Sequence, residues 1–198
     1  MRVFLGLRGS DLESRCLDQV CRDNQIKAAH QPSDRHMTLC FLGECSKEQR
    51  GQLIEALDER FVQSPAQAVV WHGERLGRFP DDCHNTGLHP ASWAWQGAIS
   101  ESLQLLINRL QGIPWLSHYR CFEGFQPHIS LAYLVQDHYD CLPFSRAITL
   151  TQLVLYGSLS NELRDSSQIE GDWAAPRYQQ LNVWELENKE KERETGLP

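Results

Sequence analysis

His36-Met37-Thr38-Leu39-Cys40-Phe41-Leu42 has a counterpart in the second half of the chain, His128-Ile129-Ser130-Leu131-Ala132-Tyr133-Leu134-Val135. In each, a histidine leads an apolar residue, a small hydroxyl residue and another apolar residue. Both stretches are short and apolar and read as strands. Side chains alternate between the faces of a strand, so residues i and i+2 share a face. His36 and Thr38 are therefore expected on one face, with Met37, Leu39 and Phe41 entering a core. His128 and Ser130 should do the same against Ile129, Leu131 and Tyr133. One such run is ordinarily a half-exposed strand histidine. Two of them, in a chain with 8 histidines, point to a pair of imidazoles, each beside a hydroxyl. Such a pair suits acid-base chemistry on a small anionic group.

What precedes each motif is repeated too. Arg2 to Leu7 reads as a strand, Ser10 as a helix N-cap, and Leu12, Cys16, Leu17, Val20 and Cys21 fall at helical spacing. Ahead of the second motif, Trp93 to Gly97 is strand-like, Ser100 is a cap, and Leu103, Leu106, Ile107 and Leu110 repeat the helical spacing. Strand, helix and histidine strand thus recur in one order, which predicts two similar lobes facing each other across the histidines. Between them, Ser46 and Gln49 form a capping box for a helix buried through Leu53, Ile54, Leu57 and Phe61. Gln67 to Trp71 and Arg75 to Phe79 read as short strands around Gly73, and Ala147 to Tyr156 and Leu181 to Leu186 as later ones. Leu159 to Ala175 reads as a long polar loop. The domain is expected to span 1–186. The tail 187–198 alternates charge without an apolar stripe and is expected to be disordered rather than a solvated helix.

The chain's 198 residues can bury one substantial core or two small lobes sharing an interface. No apolar run approaches the roughly 20 residues that span a bilayer, and no secretory signal is visible. Seven cysteines without a CxxC pair fit reduced thiols in a cytoplasmic protein. The net charge of −7 is the wrong sign for tracking long nucleic acid through phosphate contacts. A nucleic-acid substrate would have to be gripped at an end or over a few nucleotides, by local cations.

Other clusters carry less. Asp81, Asp82, Cys83, His84 and His89 match no common zinc spacing and read as a polar loop. His36 and His128 have no adjacent carboxylate or third histidine to make a metal site. Asp34 reads as a turn residue. Cys40, four residues from His36, is a weak candidate for a cysteine-histidine nucleophile. No phosphate-binding glycine loop or dinucleotide fingerprint is present.

With both motifs placed, the sequence resembles the two-histidine (2H) phosphoesterase superfamily, whose signature is a pair of His-x-Thr/Ser-x motifs. Within it the chain is similar to the RNA 2′,3′-cyclic phosphodiesterase family, historically called 2′-5′ RNA ligase. Pro32 to Gly43, with its closing Phe41-Leu42-Gly43, resembles the first motif, and Phe125 to Leu131 the second. Leu76 to Pro80, and Arg177-Tyr178 through Val183 to Leu186, also resemble family segments. The resemblance implies an α+β fold with two pseudo-symmetric lobes of antiparallel sheet and helices around a central cleft. It also implies metal-independent hydrolysis of RNA 2′,3′-cyclic phosphate ends to 2′-phosphate, without a cofactor.

In that reading His36 and His128 are catalytic, with His36 the acid and His128 the base by analogy. Thr38 and Ser130 bind the phosphoryl oxygens. The chain departs from the family pattern at Tyr133, where an arginine is common, and at Glu123 and Gly124, near a common basic position. Arg35, Arg78 and Arg177 are the candidates to compensate. The implied partners are RNA or oligonucleotide ends, tRNA fragments among them, bound by a monomer without membrane or metal. Two alternatives stand beside this reading. One keeps the chemistry on a 2′-5′ oligonucleotide or a small cyclic nucleotide; the other is a non-catalytic RNA-end binding module.

Overall fold

The computed structural model describes residues 1–26, 29–80, 92–119, 122, 124–133, 141–159 and 176–188, without the side chains of 11–14. Its strands are β1 (Arg2–Gly9), β2 (Met37–Glu44), β3 (Val69–Phe79), β4 (Ser92–Gln96), β5 (His128–Tyr133), β6 (Leu142–Ser158) and β7 (Tyr178–Glu185). Its helices are α1 (Asp11–Asp23), α2 (Lys47–Phe61) and α3 (Glu101–Gln111). The caps at Ser46 and Ser100 are those the sequence predicts. Ser46 and Gln49 form the capping box of α2, and the Ser100 hydroxyl accepts from the Leu103 amide at the start of α3. The expected repeat is present as β1-α1-β2 and β4-α3-β5.

The seven described strands join one antiparallel sheet in the order β1-β2-β5-β4-β3-β6-β7, and β1 also pairs with β6. The length of β6 makes this possible. Its first part, from Leu142 to Leu150, pairs with β3; its second, from Leu150 to Gly157, pairs with β1, and β7 lies along that half too. One lobe is therefore β2, β1, the second half of β6 and β7. The other is β5, β4, β3 and the first half of β6. The lobes share β6 and touch again where Met37 pairs with Ile129, between the two histidine strands.

The main core lies between the sheet and its helices. Leu5, Leu7, Met37 and Leu39 of the first lobe join Leu53 and Leu57 of α2, and Trp71, Trp93 and Trp95 of the second lobe join Leu103, Leu106 and Leu110 of α3. Trp71 and Trp95 meet edge to face, with ring centroids 4.9 Å apart. Gly73 permits this, since a Cβ there would overlap the Trp95 indole. The other face of the first lobe carries a small cluster of its own, Phe4, Val154 and Tyr156, with Tyr178 and Val183 against it.

Several expectations need correction. Gln67 to Phe79 is not two strands: β3 runs unbroken from Val69, and a register shift between Gly73 and Arg75 absorbs the irregularity. β6 starts at Leu142 and β7 at Tyr178, both earlier than predicted. Cys40 is disulfide-bonded, against the expectation of reduced thiols throughout, while Cys16, Cys21, Cys45 and Cys141 are free. Phe41 is 69% exposed rather than in the core. The polar cluster at 81–89, Glu123, residues 160–175 of the expected loop and residues 189–198 of the tail lie outside the described residues.

Phe41 leaves the core for a reason that operates in both lobes. Across β1 and β2, Gly6 pairs with Thr38 but Leu5 pairs with Cys40, so Leu39 is an extra residue. Across β4 and β5, Ala94 pairs with Ser130 but Trp93 pairs with Ala132, so Leu131 is an extra residue. Each bulge falls immediately after the motif's hydroxyl and lets two successive residues face the core, Leu39 with Cys40 and Leu131 with Ala132. Beyond it the alternation is reversed. Phe41 and Tyr133, each five residues after its histidine, thus lie on the histidine face of their strands. Tyr133 was expected to alternate away from Ser130; the bulge at Leu131 overturns that.

Candidate active site

Each histidine is clamped through the same atom to the same relative position. His36 Nδ1 lies 2.6 Å from the carbonyl oxygen of Asp34, and His128 Nδ1 lies 2.9 Å from that of Gln126. A carbonyl only accepts, so each Nδ1 carries a hydrogen and donates it. Each neutral ring therefore keeps its Nε2 lone pair unprotonated. Asp34 presents its carbonyl by ending the short 3-10 turn Pro32–Asp34, so the turn residue of the sequence reading orients the imidazole through its backbone.

Thr38 and Ser130 complete the arrangement in a crossed sense. With Met37 paired to Ile129 in an antiparallel ladder, continuing the register sets Thr38 across from His128 and Ser130 across from His36. The Ser130 hydroxyl also lies 3.0 Å from that of Ser92 on β4. Gly6 makes room beside the first motif: a Cβ there would stand 3.2 Å from His36 Cδ2 and 3.2 Å from Tyr156 Cε2.

The two rings differ in their surroundings. His36 is packed among Phe4, Tyr156 and Tyr178, at ring-centroid distances of 4.7, 4.9 and 5.3 Å. Desolvation by that packing pushes its pKa from 6.5 down to about 4; the Asp34 carbonyl opposes the shift and the nearby charge of His128 adds to it. Among the described residues His128 has one aromatic neighbour, Phe79, stacked at 3.7 Å. Its pKa is also lowered by burial, against the pull of the Gln126 carbonyl.

No protein-family model matches the chain, and no match to a curated protein is significant. Solved structures do match. TT0787 of Thermus thermophilus superposes with a TM-score of 0.67 at 17% identity, over 96% of this chain and 100% of that one. A crystal structure described as a phosphoesterase gives 0.65 at 19% identity, and E. coli LigT complexed with 3′-AMP gives 0.64 at 18%, each over 94% of this chain and 98% of its own. The chain has the two-histidine phosphoesterase fold.

Within that fold the three candidate arginines part company. Arg35 is turned away from the histidines into a buried ion pair with Asp18, its side chain 1% exposed. Its Nε also donates to the His30 carbonyl, at 3.1 Å. Arg78 pairs with Trp93 on the face opposite Ser130. Arg177 is the one brought to the histidine face, its guanidinium 4.2 Å over the Tyr133 ring. The Asp34 carboxylate accepts from the Arg177 backbone amide at 2.9 Å, which ties the start of β7 to the turn that holds His36.

Sequence reasoning missed the aromatic residues around the imidazoles. Phe4 and Tyr156 face each other across β1 and β6, strands far apart in the chain, and no local pattern announces them. Gly6, unusual inside an apolar strand, was the available signal of a close approach.

Proposed function

We propose that this chain is a phosphodiesterase that opens 2′,3′-cyclic phosphate ends of RNA or oligonucleotides to 2′-phosphates, by acid-base catalysis between His36 and His128 without a metal. The observation that carries the reading is the duplicated clamp: two imidazoles, each held at Nδ1 by a backbone carbonyl, each leaving Nε2 for proton transfer. A deprotonated Nε2 takes a proton from water as the water oxygen bonds to phosphorus. The P–O3′ bond breaks, and the protonated Nε2 of the other ring delivers its proton to O3′. Thr38 and Ser130, crossed over the two rings, donate to the non-bridging oxygens as charge moves onto them.

Arg177 adds the cation. Tyr133 occupies the position where the resembling family commonly has arginine, and Arg177 stacks on it, which restores positive charge to that side of the cleft. The family resemblance makes His36 the acid. Its aromatic packing favours the reverse, because a ring whose pKa is near 4 is deprotonated at neutral pH and ready to act as base. A substrate with sulfur in the 3′-bridging position separates the two assignments. Its thiolate leaves without protonation, so it should rescue the variant that lacks the acid and not the one that lacks the base.

The primary test is incubation with RNA ending in a 2′,3′-cyclic phosphate, in the presence of EDTA, with identification of the product. A 2′-phosphate formed at an unchanged rate supports the proposal. Tight binding without turnover would make the chain a binding module, and a rate restored only by zinc or manganese would overturn the metal-independent mechanism.

A further inference from the structure

A cavity of about 380 Å³ opens beside the second motif, within the size range of small-ligand sites. Phe79 contributes to its wall, as does Phe125, together with Gln96, Arg75, Gln126 and Ala98. It adjoins the site directly. Gln96 is the register partner of His128, and Arg75 is the register partner of Gln96, so one row of the sheet runs from the imidazole into the cavity. Phe79 spans both: its ring stacks on His128 at 3.7 Å while it lines the cavity.

We infer that this cavity binds the nucleobase of the nucleotide carrying the reacting phosphate, which deepens the phosphodiesterase reading and rests on it. An aromatic wall offers a stacking surface that every base can use. The amides match the edge of a base. Gln96 is set in place by two hydrogen bonds, accepting from Arg75 Nη2 at 2.9 Å and donating to the Arg78 carbonyl at 3.1 Å, and it keeps one N–H and one lone pair. Gln126 adds an exposed amide whose backbone carbonyl already holds His128. A second phosphate suits the cavity less well, because Glu74 lines it next to Arg75 and offsets that cation.

The test compares two substrates of the full chain: a nucleoside 2′,3′-cyclic phosphate and 1-O-methylribose 2′,3′-cyclic phosphate, which lacks the base. Loss of the base should lower kcat/KM by about tenfold to a hundredfold, the size of one base-aromatic stack. Ala98→Trp fills the cavity from an exposed position, and Ile99→Trp does so from a second one, 42% exposed. Either variant should turn over the base-free substrate as the unmodified chain does and lose most of the preference for the base. A filled variant that discriminates like the unmodified chain would overturn the inference. Calorimetry with adenosine 2′-monophosphate and with inorganic phosphate separates the two claims. If the chain hydrolyses neither substrate, the functional reading fails. The cavity assignment then stands only if Ala98→Trp weakens the nucleotide and spares phosphate, and it falls if the nucleotide binds no tighter than phosphate.

Discussion

His36 and His128 share every local device and differ in everything around it. Both rings donate Nδ1–H to the carbonyl two residues earlier, both have a hydroxyl two residues later, and both strands bulge one residue beyond that. Among the described residues, three aromatic rings surround His36, while one ring stacks on His128 and a cavity opens beside it. Duplication of a motif therefore duplicates geometry without duplicating electrostatics. Desolvation lowers the pKa of both rings, to about 4 at His36 with three aromatic rings around it.

The sharpest way to break the comparison is to remove one ring at a time. His36→Ala and His128→Ala should each lower kcat by about 10²–10⁴-fold, as loss of a general acid or base does. The double variant should fall little below the worse single one, because the pair acts as a unit. Far-UV circular dichroism should be unchanged in all three. A folded variant with near-normal turnover would make one motif a structural echo of the other. The crossed hydroxyls come next. Thr38→Val and Ser130→Ala should each reduce kcat by about tenfold to a thousandfold, the range for a lost oxyanion donor. Loss confined to KM would mean that the hydroxyls only hold the substrate.

The electrostatic difference is smaller and can be titrated directly. By NMR the His36 ring should titrate near pH 4. Tyr178→Ser, by admitting water beside that ring, should move its pKa up towards 6.5 and leave His128 nearly where it was. Stability follows with a definite sign. His36, and His30 with its pKa pushed by burial and by Arg177 to about 3, both titrate below the ordinary 6.5. The unfolded chain then takes up protons first as pH falls. The urea midpoint should hold above pH 6.5 and drop progressively between 6.5 and about 3; a flat profile across that window would contradict the desolvation of these rings. The smallest effect belongs to Arg177→Gln. KM should rise a few-fold with kcat little changed, the scale of a solvent-exposed ion pair, and the rise should shrink at high salt.

Much of this architecture was legible in one dimension because it is carried by local periodicity. The cap at Ser46 with its partner Gln49, the cap at Ser100, and the apolar spacing of Leu103, Leu106, Ile107 and Leu110 require only neighbours within a turn or two. The pairing of histidine with hydroxyl on one strand face is equally local, since two residues always return to the same side. The bulges were not legible. Leu39-Cys40 and Leu131-Ala132 read as ordinary strand positions, and only the register against β1 and β4 shows that one residue in each pair is extra. That single residue moved Phe41 and Tyr133 to the opposite face and reversed two expectations.

The sequence by itself determined that two strands would each present an imidazole and a hydroxyl together, and that two lobes would be built on one plan, because both follow from spacing along the chain. Only the tertiary structure decided that the hydroxyls cross between motifs and that Arg35 is held in a buried pair with Asp18 while Arg177 stacks on Tyr133. It alone set His36 deeper in aromatic surroundings than His128. Those outcomes depend on which distant strands lie side by side, and burial, which sets the charge state of each imidazole, exists only once they do.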